Sequence, residues 1–262
     1  MRVFAFCLAA SLALAAPAEA TPRRVASLNL CTDELVLLLA SPAQIASVTH
    51  LSQDPAESPL WQAARRYRRN DGSLLSVAAL RPDLVVTMGG GARDRLRIAE
   101  RLGIPTLDLP FAQSLDDVVM SIRRVAAALG RPAAGEALVR RIVALRSTAP
   151  SRSADTIWLG GGGRTVSATG LEAQWMALAG LRQRTMAGDR VGLETLLVRP
   201  PRILLRSDYR QGQYSNQQRW LSHPLARRVQ GARAIPTDGR RWTCMGPLLI
   251  DEVARLRREA AR

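Results

Sequence analysis

The pattern of apolar and polar positions changes along this chain, and each change marks an element. Arg24-Val25-Ala26-Ser27-Leu28 predicts a short buried strand. Thr32 or Asp33 is placed to cap a helix running through Leu35, Val36, Leu38 and Leu39. Residues 45–49 predict a second strand. Residues 55–70, with Pro59, Trp61 and four arginines, read as loop or broken helix. A helix over residues 73–80, a strand over 84–88, a helix over 93–102 and a strand near 106–109 follow. Strands alternating with helices of this length predict a parallel sheet covered on both faces.

The middle of the chain differs. Leu115, Val118, Val119, Ile122, Val125 and Ala126 recur at helical spacing within residues 114–129. Gly130-Arg131-Pro132 breaks that helix, and a second runs over residues 133–147. At 1.5 Å per residue it is roughly 22 Å long, enough to bridge two small domains. After Pro150 the alternation resumes, with strands near 156–159 and 165–168, a helix over 171–179, strands near 203–207 and 233–236, and a helix over 248–258. The two halves are thus the same kind of α/β object.

Composition narrows the function classes. The chain has 262 residues, 47% of them apolar, which fills a core and excludes a disordered chain. Its formal charge is +15, and all 37 basic residues are arginine. They are scattered, with no basic stripe interleaved with aromatics, so nucleic acid is not the expected partner. At the N-terminus, Arg2, an apolar run from Val3 to Ala16, and Ala18-Glu19-Ala20 form the pattern of a secretory signal peptide over residues 1–20. The mature chain is therefore expected to be exported, and Cys31 and Cys244 can pair in an oxidising compartment.

Catalytic constellations are missing from the sequence. His50 and His223 lie in different halves, and there is no C-x-x-C, H-E-x-x-H or G-x-S-x-G. Gly160-Gly161-Gly162-Gly163-Arg164 lacks the G-K-[ST] ending of a phosphate loop and reads as a flexible hairpin turn. Gly89-Gly90-Gly91 sits between a strand and a helix, where backbone amides can face a polar ligand edge or simply make a tight connection. No metal, cofactor or catalytic residue is expected.

Several segments, in order, resemble a family. Arg24-Val25-Ala26-Ser27-Leu28-Asn29-Leu30-Cys31-Thr32-Asp33-Glu34-Leu35 is similar to the "R-V-V-S-L-x-x-x-x-T-E-L" opening of periplasmic substrate-binding proteins of ABC importers for iron-siderophores, haem and cobalamin. Ala79-Leu80-Arg81-Pro82-Asp83-Leu84-Val85-Val86 resembles that family's "A-L-K-P-D-L-V-I", and Leu178-Ala179-Gly180-Leu181 its "L-A-G" segment. Leu193-Glu194-Thr195-Leu196 with Arg199-Pro200-Pro201-Arg202-Ile203 resembles "L-E-x-L…x-P-D-x-I", Arg202 replacing the Asp. Trp242 with Gly246-Pro247 resembles the closing "W…G-P". The resemblance spans nearly the whole chain after the signal peptide and is specific for the superfamily, not for the ligand.

The resemblance implies an α/β fold of two Rossmann-like lobes with parallel sheets joined by a single rigid backbone helix, here residues 133–147. The expected domains are 21–113, a helical linker 114–149, and 150–262. It implies a monomeric binding protein, not an enzyme, that captures a small molecule between the lobes and delivers it to an inner-membrane ABC permease. A corrinoid is the first expectation and an iron-siderophore complex the second, because the clustered Tyr or His that haem ligation wants is sparse. An exported α/β enzyme is the alternative class.

Ligands of open parallel sheets bind outside the carboxyl ends of the strands. That places Asn29, Cys31, Thr32, Gly89, Gly90, Arg93, Arg206, Tyr209 and Trp242 at the expected site, with Tyr67 as a further aromatic. Arg210, Tyr214, Trp220 and Trp61 are weaker candidates, and Met88 reads as core. The family presents one docking glutamate per lobe. The matching position in the second lobe is Glu194; in the first it falls on Leu75, leaving Asp71 as the nearby carboxylate. Cys31 follows the first strand of one half and Cys244 the last strand of the other, which leaves open a bridge between lobes or two partly buried free thiols.

Overall fold

The computed structural model describes residues 21–89, 93–207, 209, 223, 224 and 229–262, without the side chains of residues 93–96. The expected signal peptide, residues 1–20, lies outside the described residues. The strands are β1 (Val25–Ser27), β2 (Ile45–Thr49), β3 (Arg68–Asn70), β4 (Leu84–Met88), β5 (Thr106–Leu109), β6 (Ala154–Leu159), β7 (Leu181–Gln183), β8 (Ile203–Ser207) and β9 (Arg233–Thr237). The helices are α1 (Leu30–Leu39), α2 (Trp61–Ala64), α3 (Leu75–Ala78), α4 (Arg93–Arg101), α5 (Leu115–Ala128), α6 (Pro132–Ser147), α7 (Leu171–Leu178), α8 (Leu193–Val198) and α9 (Leu249–Ala260). Among the described residues, no helix is long and apolar enough to cross a membrane.

The strands form two sheets, of order β3-β2-β1-β4-β5 and β7-β6-β8-β9, and every pairing within them is parallel. Alternate residues of the central strands enter different cores. Val25 and Val86 face a large apolar cluster, while Ala26 and Val85 face a small one on the opposite side of the first sheet. In the second sheet Ile203 and Leu205 join the same large cluster, and Ile157, Leu159 and Leu204 form a third. The large cluster is continuous between the lobes through α5, α6, α7 and α9.

Helix α5 starts at a reciprocal capping box. Ser114 Oγ accepts the Asp117 N–H at 3.2 Å and Asp117 Oδ2 accepts the Ser114 N–H at 3.0 Å. It packs on α1 and β5 of the first lobe and on α7 of the second. Helix α6, with Pro132 in its first turn, begins beside the first lobe, where Gln44 Nε2 donates to Leu129 O and to Pro22 O, each at 2.9 Å. It ends in the second lobe. There Arg257 of α9 donates to Leu145 O and Thr148 Oγ1 at 2.8 Å and to Leu178 O at 2.9 Å. Residues Pro132–Ser147 therefore connect the lobes.

Four local expectations are corrected. The cap of α1 is Asn29, whose Oδ1 accepts the Cys31 N–H at 2.8 Å; Thr32 and Asp33 lie inside the helix. Residues 55–70 contain a strand, β3, at the sheet edge. The helix expected over 73–80 is a single turn, Leu75–Ala78, followed by Arg81 at φ 47°. Residues 165–168 form no strand: the antiparallel pairing there stops at one bridge between Arg164 and Arg190, and the extra strand is instead β7.

Candidate functional site

Because all pairings are parallel, each sheet has one carboxyl edge, and the loops leaving the two edges meet. Pro55, beyond β2, accepts a bond from Arg240 Nη1, beyond β9, at 2.7 Å. Tyr209, beyond β8, donates its hydroxyl to Glu57 Oε2 at 2.5 Å. Cys31, beyond β1, is disulfide-bonded to Cys244, beyond β9, with a Cα–Cα distance of 5.1 Å. Gln113, beyond β5, accepts from Gln174 Nε2 of α7 at 3.3 Å, and Leu115 N donates to Gln174 Oε1 at 3.1 Å. The carboxyl edges thus face one another across a cleft, where ligands of such sheets sit.

Of the residues expected here, Asn29 is half-buried as the cap of α1, and Cys31 is half-buried in the disulfide. The bridge replaces the free-thiol alternative. Tyr209 stands on the cleft as the partner of Glu57. Arg206 is half-buried on β8, in register with Leu159 and Pro236. Gly90, Arg210, Tyr214 and Trp220, and the side chain of Arg93, lie outside the described residues.

Two expected residues are buried instead. Thr32 is fully buried, its hydroxyl 2.7 Å from Ser27 Oγ and donating to Asn29 O at 2.9 Å, so it stitches α1 to β1. Trp242 is 2% exposed, and its Nε1 donates to Thr237 Oγ1 at 2.8 Å. Tyr67, just before β3, is half-buried and packs against the large core, and its carbonyl accepts from Gln53 Nε2, beyond β2, at 2.9 Å. Trp61 carries the Arg65 guanidinium 4.6 Å from its ring centroid, and Met88 packs on the core as expected.

Two aromatic residues not anticipated from the sequence stand at the edges. Gly89, with φ 103°, follows β4, and the Phe111 ring lies where its Cβ would be, the nearest atom 2.6 Å from that position. Phe111 is 59% exposed. In the second lobe, the Trp158 indole leans along β6 over Gly160, again with a ring atom 2.6 Å from the position of a Cβ. Trp158 meets Trp242 edge to face at 6.4 Å, and its buried Nε1 has no hydrogen-bond partner. Each lobe therefore seats one aromatic ring on a glycine at the end of a strand. The Trp158–Gly160 spacing of two residues, one face of a strand, was visible in the sequence. The Gly89–Phe111 approach depends on the pairing of Met88 with Leu109.

The acids around the cleft divide by surroundings. Glu34 of α1 is 5% exposed; burial pushes its pKa up to about 7, against the opposing Leu248 N–H, which it accepts at 3.0 Å, and the nearby Arg241 charge. Burial likewise raises Asp33 to about 6, opposed by the hydroxyls of Ser27 and Thr49 and the Thr49 N–H. Burial alone would raise Asp238 too, but the Arg240 fork, at 2.8 and 2.9 Å, and Arg241 outweigh it and hold the carboxyl below its usual range. Among the described residues, no group of three or more His, Cys, Asp or Glu is placed to hold a metal ion.

The expected docking carboxylates are exposed. Glu194 lies in the first turn of α8. Asp71 accepts the Ser73 N–H at 2.8 Å, and its bonds to Ser73 lower its pKa to about 2. Leu75 is 77% exposed.

Known structures of this architecture include a periplasmic heme binding protein from Pseudomonas aeruginosa, 20% identical, with 91% of this chain and 92% of that one superposed at a TM-score of 0.66. The periplasmic vitamin B12 binding protein BtuF of Vibrio cholerae is 18% identical over 92% and 99%, with a TM-score of 0.64. The periplasmic heme binding protein HutB of Vibrio cholerae is 16% identical over 90% and 98%, with a TM-score of 0.70. No curated protein matches the sequence. The family model described as periplasmic binding protein matches residues 25–234. With most of its length matched and two parallel-sheet lobes in place, this chain belongs to the periplasmic binding protein family and is a binding protein, not an enzyme.

Proposed function

We propose that this protein is the solute-binding component of an ABC importer, exported to the periplasm after loss of residues 1–20. It acts as a monomer that holds a bulky corrinoid or metal chelate between its lobes. A corrinoid is the first candidate, and an iron-carrying chelate the second. The observation that carries this reading is the pair of rings, Phe111 over Gly89 and Trp158 over Gly160, one on each facing edge. Ring faces contribute contact area and stacking at little cost in side-chain entropy. Tyr209 and Arg206 supply polar contacts at the rim, and Gly90 and Arg93 are further ligand contacts expected from the sequence. The cargo then passes to an inner-membrane permease, which Glu194 engages from one lobe and Asp71 from the other. The lobes take residues 21–113 and 150–262, on either side of the linker 114–149.

Titration of the purified protein with cyanocobalamin, haemin and ferrichrome, followed by tryptophan quenching and calorimetry, tests the reading. Saturable one-to-one binding of at least one is expected, with a dissociation constant in about the micromolar range or tighter. Failure of all three refutes it.

A further inference from the structure

The cleft walls are joined by a covalent bond whose two anchors are rigid. Cys31 lies in the first turn of α1, its N–H held by the Asn29 cap, and α1 packs on the first sheet. Cys244 lies between the turn Gly239–Trp242 and α9. Its neighbour Met245 packs on the large core, and Met245 O accepts Trp175 Nε1 at 2.9 Å. One helical turn beyond Cys31, Glu34 accepts the Leu248 N–H, so a polar link runs beside the covalent one between the same two segments. The remaining links named above between the edges are hydrogen bonds, which water can replace as the cleft opens. The disulfide cannot be replaced in that way. Both cysteines are only half-buried, within reach of a thiol reagent.

We propose that Cys31–Cys244 is a redox-controlled tether across the ligand cleft. Oxidised, it holds the two carboxyl edges at their binding separation. Reduced, it lets the lobes move about α6, and affinity falls because part of the binding free energy goes into restoring the closed arrangement. Reduction proceeds by attack of a dithiol on one sulfur, a mixed disulfide, and displacement by the second thiol. Two electrons and two protons pass to the protein, giving two free thiols, and the dithiol becomes a disulfide. The reductant class is an exported dithiol oxidoreductase, for which dithiothreitol stands in. The effect on affinity rests on the proposed function; the opening of the cleft does not.

The test compares oxidised protein, dithiothreitol-treated protein and the Cys31→Ser/Cys244→Ser double variant. Circular dichroism first establishes that all three are folded. Ligand-free X-ray scattering is expected to give a larger radius of gyration for the reduced protein and the double variant. Their affinity for cyanocobalamin or haemin is expected to fall about tenfold, mainly through faster dissociation. By linkage, bound ligand shifts the thiol–disulfide equilibrium toward the disulfide by the same factor. Unchanged scattering and unchanged affinity overturn the tether, and so does loss of structure on reduction, which makes the bond a staple of the fold. If neither probe binds the oxidised protein, the ligand assignment fails, and the scattering comparison alone decides the tether.

Discussion

Glu34 makes the stability of this protein fall as the pH rises through neutrality. Its ordinary pKa is 4.5, and burial between α1 and the segment entering α9 raises it to about 7. A carboxyl whose pKa is raised on folding binds its proton more tightly in the folded state. Its contribution is therefore fully present below pH 4.5 and is lost as the pH climbs through about 7. A shift of about two and a half pH units at about 1.4 kcal/mol each gives about 3 kcal/mol as the upper figure. Asp33 acts with the same sign, between 3.8 and about 6. The lowered carboxyls, Asp71, Asp117, Glu136 and Asp238, titrate below the usual range and leave the interval from about pH 5 to 8 untouched. For a chain of this size each kcal/mol moves Tm by about 2–4 °C, so Glu34 accounts for roughly 6–12 °C between about pH 5 and pH 8. Glu34→Gln keeps an oxygen for the Leu248 N–H and removes the buried charge. It is expected to melt higher than wild type at about pH 8 and to show a flatter profile. Melting curves of both proteins at half-unit pH steps decide the matter. A wild-type Tm that is constant or rises across that interval refutes the reasoning, as does a Gln variant with the wild-type slope.

Phe111→Ala is expected to weaken ligand binding by about 1–3 kcal/mol with little change in Tm, since the ring is largely exposed; calorimetry and melting curves read both. Gly160→Val forces the Trp158 indole off its seat and should cost both ligand affinity and about 1–3 kcal/mol of stability, measured by denaturant titration. Glu194→Ala should reduce uptake in a reconstituted transporter while leaving ligand affinity intact; unchanged uptake removes it from the docking surface. Loss of the 213-residue crosslink in Cys31→Ser/Cys244→Ser is expected to cost on the order of 5 kcal/mol through the entropy of the unfolded chain, and a Tm within a few degrees of wild type contradicts that. In the oxidised protein, scattering curves with and without ligand should nearly superimpose, because α6 and the disulfide restrict the lobes to a small twist.

The central strands and long helices were legible because their pattern is local. Leu84-Val85-Val86 is apolar on both faces whatever surrounds it, and residues 203–207 and 114–129 carry their periodicity in their own side chains. The two α/β halves and the helix between them follow from that. The edge strands β3 and β7 were not legible. Arg68-Arg69 and Leu181-Arg182-Gln183 become strands only because Ser47 and Ala154 offer free edges at the right register. The same division runs through the site. The carboxyl-edge rule placed Asn29, Cys31 and Tyr209 at the cleft from sequence. It did not show that Thr32 and Trp242 point inward, since a hydroxyl or an indole N–H turns toward whichever buried acceptor packing brings near, here Asn29 O and Thr237 Oγ1. Nor did it find Glu57, whose partner Tyr209 is 152 positions away, or Phe111, which meets Gly89 only through the pairing of β4 with β5. The cysteines mark the limit most clearly. Sequence left both the bridge and the free thiols open, and only the facing of two sheet edges brings residues 213 positions apart within 5.1 Å. Local patterning determined the pieces, and long-range packing decided which side chains face the cleft.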